Sequence, residues 1–173
     1  PVEQLQKMKE GQWLVLARDG YRLDKLEEEL KIYGYFYERG DRTSINKLVH
    51  QAILAWEDIR KGKELDLKRV KSFYSYVKIN TGVDKKFKGM ANVDKDKMFT
   101  FDMLRDSYGL KLDKDLPWFR ALENIESTKK TYVRMCLRRQ ENIRRAPRIK
   151  LSTIHGSKGG EADNVMLLTD LTR

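Results

Sequence analysis

Residues 148–168 read Arg-Ile-Lys-Leu-Ser-Thr-Ile-His-Gly-Ser-Lys-Gly-Gly-Glu-Ala-Asp-Asn-Val-Met-Leu-Leu, and this stretch decides the fold class. It begins with a run typical of a β-strand, continues with a glycine-rich turn that carries His155, Lys158 and Glu161, and ends with a second apolar run. In open α/β sheets, ligands bind at the carboxyl ends of the strands. The polar side chains follow such an end, so the stretch predicts a functional loop between two strands.

The other end of the chain predicts a second part of the same sheet. Trp13–Ala17 is a short continuous apolar run, the pattern of a strand buried on both faces. A helix should follow at once, with Asp19 as its N-cap and Gly34 as its stop. The apolar residues that mark this helix recur every three or four positions: Leu23, Leu26, Leu30 and Tyr33. Residues 35–37, Tyr-Phe-Tyr, indicate another strand, which completes a β-α-β unit of a parallel sheet.

Between these ends the sequence predicts a mainly helical body. Apolar residues at helical spacing indicate helices over these segments: 45–59, 67–77, 101–107, 117–125 and 127–145. Pro117 suits the first turn of its helix, and Ala146-Pro147 should stop the last one. We therefore expect an α/β fold in which both chain ends, residues 1–43 and 147–173, form a partial parallel sheet. Residues 44–146 would be a mainly helical inserted subdomain.

The composition suits a nucleic-acid partner and argues against several other classes. The 173 residues carry a formal charge of +10, from 36 Lys and Arg against 26 Asp and Glu. No apolar run is long enough to span a membrane, so we expect a soluble, cytoplasmic protein with no membrane partner. Cys136 is the only cysteine, which excludes an internal disulfide, and two distant histidines argue against a metal site. The chain starts at Pro1 rather than Met, which indicates a segment of a longer polypeptide.

The turn of residues 153–161 also resembles a known motif. Its sequence Thr-Ile-His-Gly-Ser-Lys-Gly-Gly-Glu is similar to motif V of the UvrD/Rep-type superfamily 1 DNA helicases, commonly Thr-x-His-x-(Ser/Ala)-Lys-Gly-x-Glu. Residues 12–37 resemble, more weakly, the second RecA-like domain of that family between its motifs IV and V. The helical segment before Pro147 occupies the place where these helicases insert an accessory subdomain, which is much shorter here than in the large bacterial members. The resemblance implies a partial RecA-like domain of an ATP-dependent DNA helicase. Gly160 stands where Leu is common and Ala162 where an aromatic residue is common, which weakens packing behind the loop.

The resemblance implies two kinds of contact for this loop. Glu161 and Gly159 would belong to the ATP site, where the carboxylate accepts a hydrogen bond from a ribose hydroxyl. Thr153, His155 and Lys158 would contact backbone phosphates of single-stranded DNA, which position a strand without reading its sequence. The alternatives are a solvated loop acid for Glu161, a structural histidine for His155, and an ion pair with a nearby acid for Lys158.

Arginines elsewhere are further candidates for DNA contacts. Arg18 ends the first predicted strand, and if both strands belong to one sheet it should emerge at the same edge as the motif V loop. A plain surface arginine is the alternative. Arg134, Arg138 and Arg145 recur at helical spacing, so the predicted helix would present them on one face. Residues 129–150 include nine basic residues and one acid, which favours a nucleic-acid or acidic partner over a merely solvated helix face. A nucleic-acid partner would be duplex DNA or a displaced strand.

Several parts of a helicase motor are missing from this sequence. It has no Gly-x-x-x-x-Gly-Lys-(Ser/Thr) phosphate loop, no acidic pair for magnesium, and no arginine motif after motif V. The resemblance therefore implies that ATP and Mg²⁺ act in an intact enzyme that includes an N-terminal RecA-like domain, and that this chain alone neither binds them tightly nor hydrolyses ATP. The rival interpretation is a non-catalytic module of helicase-like architecture that binds nucleic acid or protein. A hydrolase built on His155 and Glu161 is disfavoured, because no activated nucleophile or metal set accompanies them.

Overall fold

The computed structural model describes residue 8 and residues 10–157 and 160–169. The strands in chain order are β1 (Trp13–Ala17), β2 (Tyr37–Arg39), β3 (Arg42–Thr43), β4 (Leu65–Asp66), β5 (Met98–Phe99), β6 (Ile149–Thr153) and β7 (Asn164–Leu168). The α-helices are α1 (Gly20–Ile32), α2 (Lys47–Ile59), α3 (Leu67–Tyr74), α4 (Phe101–Ser107), α5 (Trp118–Ala121) and α6 (Ser127–Arg138). Among the helices of these residues, none combines the length and the apolar character needed to cross a bilayer.

The chain divides into two compact units. The sheet unit comprises Pro1–Ile45 and Thr131–Arg173, and the helical unit comprises Asn46–Lys130. The first boundary lies close to the predicted one at residue 43, but the second lies well before the predicted one at residue 146. The difference arises because most of α6 packs with the sheet unit, where the Tyr132 hydroxyl oxygen lies 2.6 Å from the Tyr35 carbonyl oxygen.

The sheet unit contains a mostly parallel sheet with the strand order β3-β2-β6-β1-β7. β1 is parallel to both β6 and β7, with Trp13 opposite Ile149 on one side and Asn164 on the other. β2 is parallel to β6, and β3 is antiparallel to β2. The prediction that both chain ends contribute adjacent parallel strands to one sheet is confirmed.

Helix α1 covers one face of this sheet, as its apolar spacing predicted. The Asp19 carboxylate caps the helix by accepting a hydrogen bond from the Arg22 N–H at 3.1 Å. The buried leucines of α1 pack against alternate residues of β1 and β6. Alternate residues of a strand point to the same face of the sheet, so these strand residues form one core with α1. The strand residues of this core are Val15, Ala17, Ile149 and Leu151.

The end of α1 lies where the sequence placed its stop. Gly34 has a φ of +71°, which glycine adopts without steric cost, and a Cβ atom there would lie 2.8 Å from the Met135 backbone carbon. The Tyr35 N–H still donates to the Leu30 carbonyl of α1 at 2.9 Å. Because the chain is held in this helix-terminating turn, β2 begins at Tyr37, and the predicted start of the strand at Tyr35 is wrong.

The helical unit is built around α2. The Asn46 side chain caps this helix by accepting hydrogen bonds from two backbone N–H groups of its first turn. Trp56 is fully buried and meets Phe73 and Phe101 edge to face, with ring centroids 5.7 and 6.1 Å apart. The helical spacing of Trp56, Phe73, Tyr74, Trp118 and Phe119 predicts core packing rather than base stacking, and all of them except the half-buried Phe119 are buried. Helices α2 to α4 lie within the predicted segments, whereas α5 is a single turn that ends at Ala121.

Helix α6 differs from its prediction. It ends at Arg138, whereas the sequence pattern placed its end at Arg145. Gln140 has a φ of 66°, and this left-handed residue turns the chain out of the helix. The turn brings Glu141 to Arg148, whose side chains pair at 2.6 Å. Glu141 therefore pairs with a residue just before β6 instead of continuing the helix, and Arg145 is not part of a helix face.

Candidate functional site

The carboxyl ends of β1, β6 and β7 meet at one edge of the sheet, which we call the carboxyl edge. Ala17 lies opposite Thr153 of β6 and Leu168 of β7. The Ile154 N–H donates to the Ala17 carbonyl at 3.0 Å. The loop that follows β6 therefore leaves the sheet beside Arg18, the residue that follows β1. The expectation that Arg18 and this loop emerge at the same edge is confirmed.

The loop begins with one helical turn. The Ser157 N–H donates to the Thr153 carbonyl at 3.0 Å, and the Gly156 N–H donates to Thr153 Oγ1 at 3.2 Å. Thr153 thus caps the turn in the way that Ser and Thr cap helices. A further hydrogen bond, from the Gly160 N–H to the Ser157 carbonyl at 2.8 Å, follows the turn. The Thr153 hydroxyl oxygen accepts within the loop. Among the described residues its hydrogen meets no acceptor, so it can donate to a ligand.

The charged and polar side chains at this edge face solvent. Arg18, His155 and Glu161 are exposed, and Thr153 is half-buried. Among the residues that the structure describes, none forms an ion pair with Arg18, His155 or Glu161. Lys158 and Gly159, the other two predicted site residues of the loop, lie outside the described residues. The edge therefore carries a cation, an imidazole and a carboxylate that are accessible to a ligand.

A cavity of about 280 Å³ lies beside the loop on the sheet face opposite α1. Lys150 and Ser152 of β6 line it, together with Glu38 of β2 and the glycines at 156 and 160. Lys150 Nζ lies 3.0 Å from Glu38 Oε1 across the two strands. Lys150, Ser152 and Glu38 were not among the predicted site residues. The sequence does indicate their position, because Lys150 and Ser152 alternate with the buried Ile149 and Leu151. They therefore share the face of the sheet opposite the α1 core.

The helical arginines are only partly brought together. Arg134 and Arg138 are exposed and one helical turn apart on α6, so they share a face. Arg145 lies beyond the end of the helix, and the predicted face of three arginines is therefore wrong. The basic character of residues 129–150 remains, but it is distributed over a helix, a turn and the start of β6.

Buried titratable groups near α6 belong to the core. Burial raises the pKa of the Cys136 thiol to about 12, and the side chain is fully buried. Burial also raises the pKa of Tyr132 well above its usual value. Both groups therefore stay neutral at physiological pH.

The groups at the carboxyl edge are suited to recognising a ligand. A guanidinium, an imidazole and a hydroxyl can donate to phosphate oxygens, and a carboxylate can accept from a sugar hydroxyl. In the described part of the chain, no three His, Cys, Asp or Glu side chains are grouped so that they could hold a metal ion. No family model, curated protein or solved structure matches this chain.

Proposed function

We propose that this chain is the second, RecA-like motor domain of a UvrD/Rep-type ATP-dependent DNA helicase, with a reduced helical insertion. The observation that supports the proposal is the convergence at the carboxyl edge: the motif V-like loop follows β6 directly beside Arg18, which follows β1. Ligand sites of open α/β sheets lie at such an edge. Two parts of the sequence that are more than a hundred residues apart therefore contribute to one candidate site.

In this proposal Arg18, Thr153, His155 and Lys158 contact the phosphates of single-stranded DNA. Their donors are suited to phosphate oxygens and carry no base preference, as a translocating motor requires. The exposed Arg134 and Arg138 would add attraction toward duplex DNA or a displaced strand.

Glu161 and Gly159, in the same loop, would contact the bound nucleotide. An exposed carboxylate at the edge of the sheet fits a ribose hydroxyl, to which it can offer an acceptor. ATP and Mg²⁺ would supply the energy for movement in an intact enzyme that includes an N-terminal RecA-like domain. The contribution of this chain is to orient the ribose and to hold the DNA strand while the ATP cleft between the two RecA-like domains closes.

The DNA side of the proposal can be tested by fluorescence anisotropy with a labelled single-stranded oligonucleotide. Replacing Arg18 and His155 together by Ala should weaken binding and make the dependence of log affinity on log salt shallower, by up to about 0.7 per lost phosphate contact. Lys31→Ala is the matched control, because it removes one exposed positive charge at the end of α1, away from the carboxyl edge. Equal effects of the two variants would favour a module that binds nucleic acid by general charge.

The proposed contact between Glu161 and the nucleotide has to be tested in the intact polypeptide. Glu161→Ala should raise the ATP concentration required for DNA-stimulated ATPase activity and change DNA affinity little. If this variant instead loses DNA binding and keeps its ATP dependence, the assignment of Glu161 to the nucleotide is wrong. Reading the gene on both sides of the segment is the complementary observation, since an upstream phosphate loop and a downstream arginine motif distinguish a motor from a binding module.

A further inference from the structure

The loop that leaves the carboxyl edge after β6 ends at the opposite edge of the sheet. β6 and β7 lie on either side of β1, and both are parallel to it. The connection between them, residues 154–163, therefore returns to the edge where these strands begin, which we call the amino edge. We call this connection the crossover. Parallel strands usually need a connection of a dozen or more residues that includes an α-helix, so this crossover is short.

The crossover passes over β1 on the face of the sheet opposite α1. A Cβ atom built on Gly160 would lie 3.6 Å from Cδ2 of Leu14. Leu14 alternates along β1 with Val15, whose side chain belongs to the core beneath α1. Glu161 therefore follows a residue that lies on the open face of the sheet.

The side chains next to Glu161 do not anchor it by burial. Gly160 has no side chain and is exposed, Ala162 is half-buried, and Glu161 itself is exposed. In the described part of the chain, the backbone N–H groups of Glu161 and Ala162 donate no hydrogen bond. The position of Glu161 therefore depends on how the residues on both sides of it are held.

Hydrogen bonds hold the crossover on both sides of Glu161. On one side, the Gly160 N–H donates to the Ser157 carbonyl at 2.8 Å. On the other side, Asp163 Oδ2 accepts from the Gln12 N–H at 3.1 Å. This second contact joins the end of the crossover to the residue just before β1. Glu161 is thus suspended between two fixed points that are close in sequence.

The backbone before β1 is shaped to receive Asp163 and its neighbour. The Gln12 carbonyl accepts from the Asn164 backbone N–H at 3.1 Å and from its side-chain amide at 3.3 Å. Gly11 has a φ of +73°, and a Cβ atom there would lie 2.9 Å from Asn164 Nδ2. A side chain at residue 11 would therefore push Asn164 away from Gln12. Glycine at this position permits the close approach.

We propose that Asp163 is a positioning residue for Glu161. The inference rests on the proposed function, in which Glu161 contacts the ribose of the nucleotide, and it names the residue on which that contact depends. Asp163 does not itself meet the ligand. Its hydrogen bond to Gln12 fixes the amino-edge end of the crossover, and without it the chain after Glu161 is held only from the start of β7. A displacement of about 1 Å is enough to impair a positioned contact.

Hydrogen exchange of this chain tests whether Asp163 holds the crossover. Asp163→Ala removes the acceptor, so amide exchange at Gly160 and Gln12 should accelerate about three- to tenfold, as expected for the loss of one hydrogen bond. Exchange at Gly156, which Thr153 holds at the other end of the loop, should stay the same. Asp163→Asn is the matched control, because it removes the charge and keeps an oxygen that can accept. Circular dichroism of each variant verifies its fold.

ATPase kinetics of the intact polypeptide test whether this contact serves the nucleotide. Asp163→Ala should raise the KM for ATP about three- to tenfold with little change in kcat, in the same direction as Glu161→Ala. Asp163→Asn should stay near the unaltered protein. The affinity for a single-stranded oligonucleotide should be nearly the same in all three variants. A role of Asp163 in stability alone would reduce the amount of active enzyme, and so kcat, without raising the KM.

The outcomes separate this inference from the proposed function. Unchanged exchange in Asp163→Ala, or equal acceleration in Asp163→Asn, would overturn the inference. It is also overturned if Glu161→Ala raises the KM and Asp163→Ala does not, a result that leaves the proposed function standing. If neither variant raises the KM, the nucleotide contact of Glu161 fails and the inference fails with it. Should Asp163→Ala not fold, Gly11→Ala, which displaces Asn164 from Gln12, is the second variant with the same expected effects.

Discussion

The two edges of the sheet use the same residue types in opposite ways. At the carboxyl edge, Arg18 and Glu161 are exposed, and the loop between strands is shaped by backbone hydrogen bonds and one threonine cap. At the amino edge, Arg148 and Glu141 are paired, and the glutamate is almost fully buried. The first arrangement leaves charge available to a partner, whereas the second commits charge to the fold. Burial therefore decides whether a charged residue at a strand end can bind a partner or is used to stabilise the fold.

The largest difference between the two regions should appear in thiol reactivity. Cys136 lies on α6, shortly before the Glu141–Arg148 pair. Burial raises its pKa from 9.0 to about 12, so its thiolate fraction near pH 8 falls by roughly a thousandfold. It should react with a disulfide reagent only after unfolding in urea. A cysteine placed at the carboxyl edge by His155→Cys, in a Cys136→Ser background, should react at once. Fast labelling of native Cys136 would contradict the burial of this region.

The same thiol makes stability depend on pH in the alkaline range. A folded pKa of about 12 against 9.0 in the unfolded chain means that the stabilising contribution is complete below pH 9 and is lost as pH rises toward 12. Urea unfolding between pH 8 and pH 10 should therefore show a decline in the free energy of unfolding that is smaller in Cys136→Ser. An equal decline in both proteins would assign the effect to other groups.

Two glutamates provide the next comparison. Glu141→Ala leaves the Arg148 guanidinium without its carboxylate and should lower the free energy of unfolding by about 3 kcal/mol, the lower end of the range for breaking a buried pair. Glu161→Ala removes an exposed carboxylate and should change it by no more than about 0.5 kcal/mol. Urea denaturation measures both. Similar losses in the two variants would mean that the edges do not differ as described.

The smallest expected effect concerns the cap of the 153–161 loop. Thr153→Val removes the oxygen that accepts the Gly156 N–H and should cost about 1 kcal/mol. Thr153→Ser keeps that oxygen and is the matched control. Amide hydrogen exchange at Gly156 should accelerate in the valine variant and stay near the original rate in the serine variant. Unchanged exchange with valine would show that the backbone alone holds the turn.

Local patterns in the sequence determined much of the sheet unit. The apolar run at residues 13–17, the capping Asp19 and the stop at Gly34 specified β1 and α1, because caps, turns and side-chain periodicity act over a few residues. The glycine-rich turn after β6 indicated the position of the candidate site. Its proximity to Arg18 followed from one topological rule, namely that parallel strands bring their carboxyl ends to the same edge.

Tertiary structure decided what local patterns could not express. α6 ends at Arg138, and the ion pair that follows joins Glu141 to Arg148, a contact that helical periodicity could not predict. The hydrogen bond from Arg139 to the Tyr35 hydroxyl likewise joins residues more than a hundred positions apart in the chain. The sequence by itself therefore determined β1, β6, β7, the cap and stop of α1, and the polar loop, whose causes are local. Folding alone decided which arginines are buried, paired or exposed, because burial and pairing are set by residues that are distant in sequence and close in space.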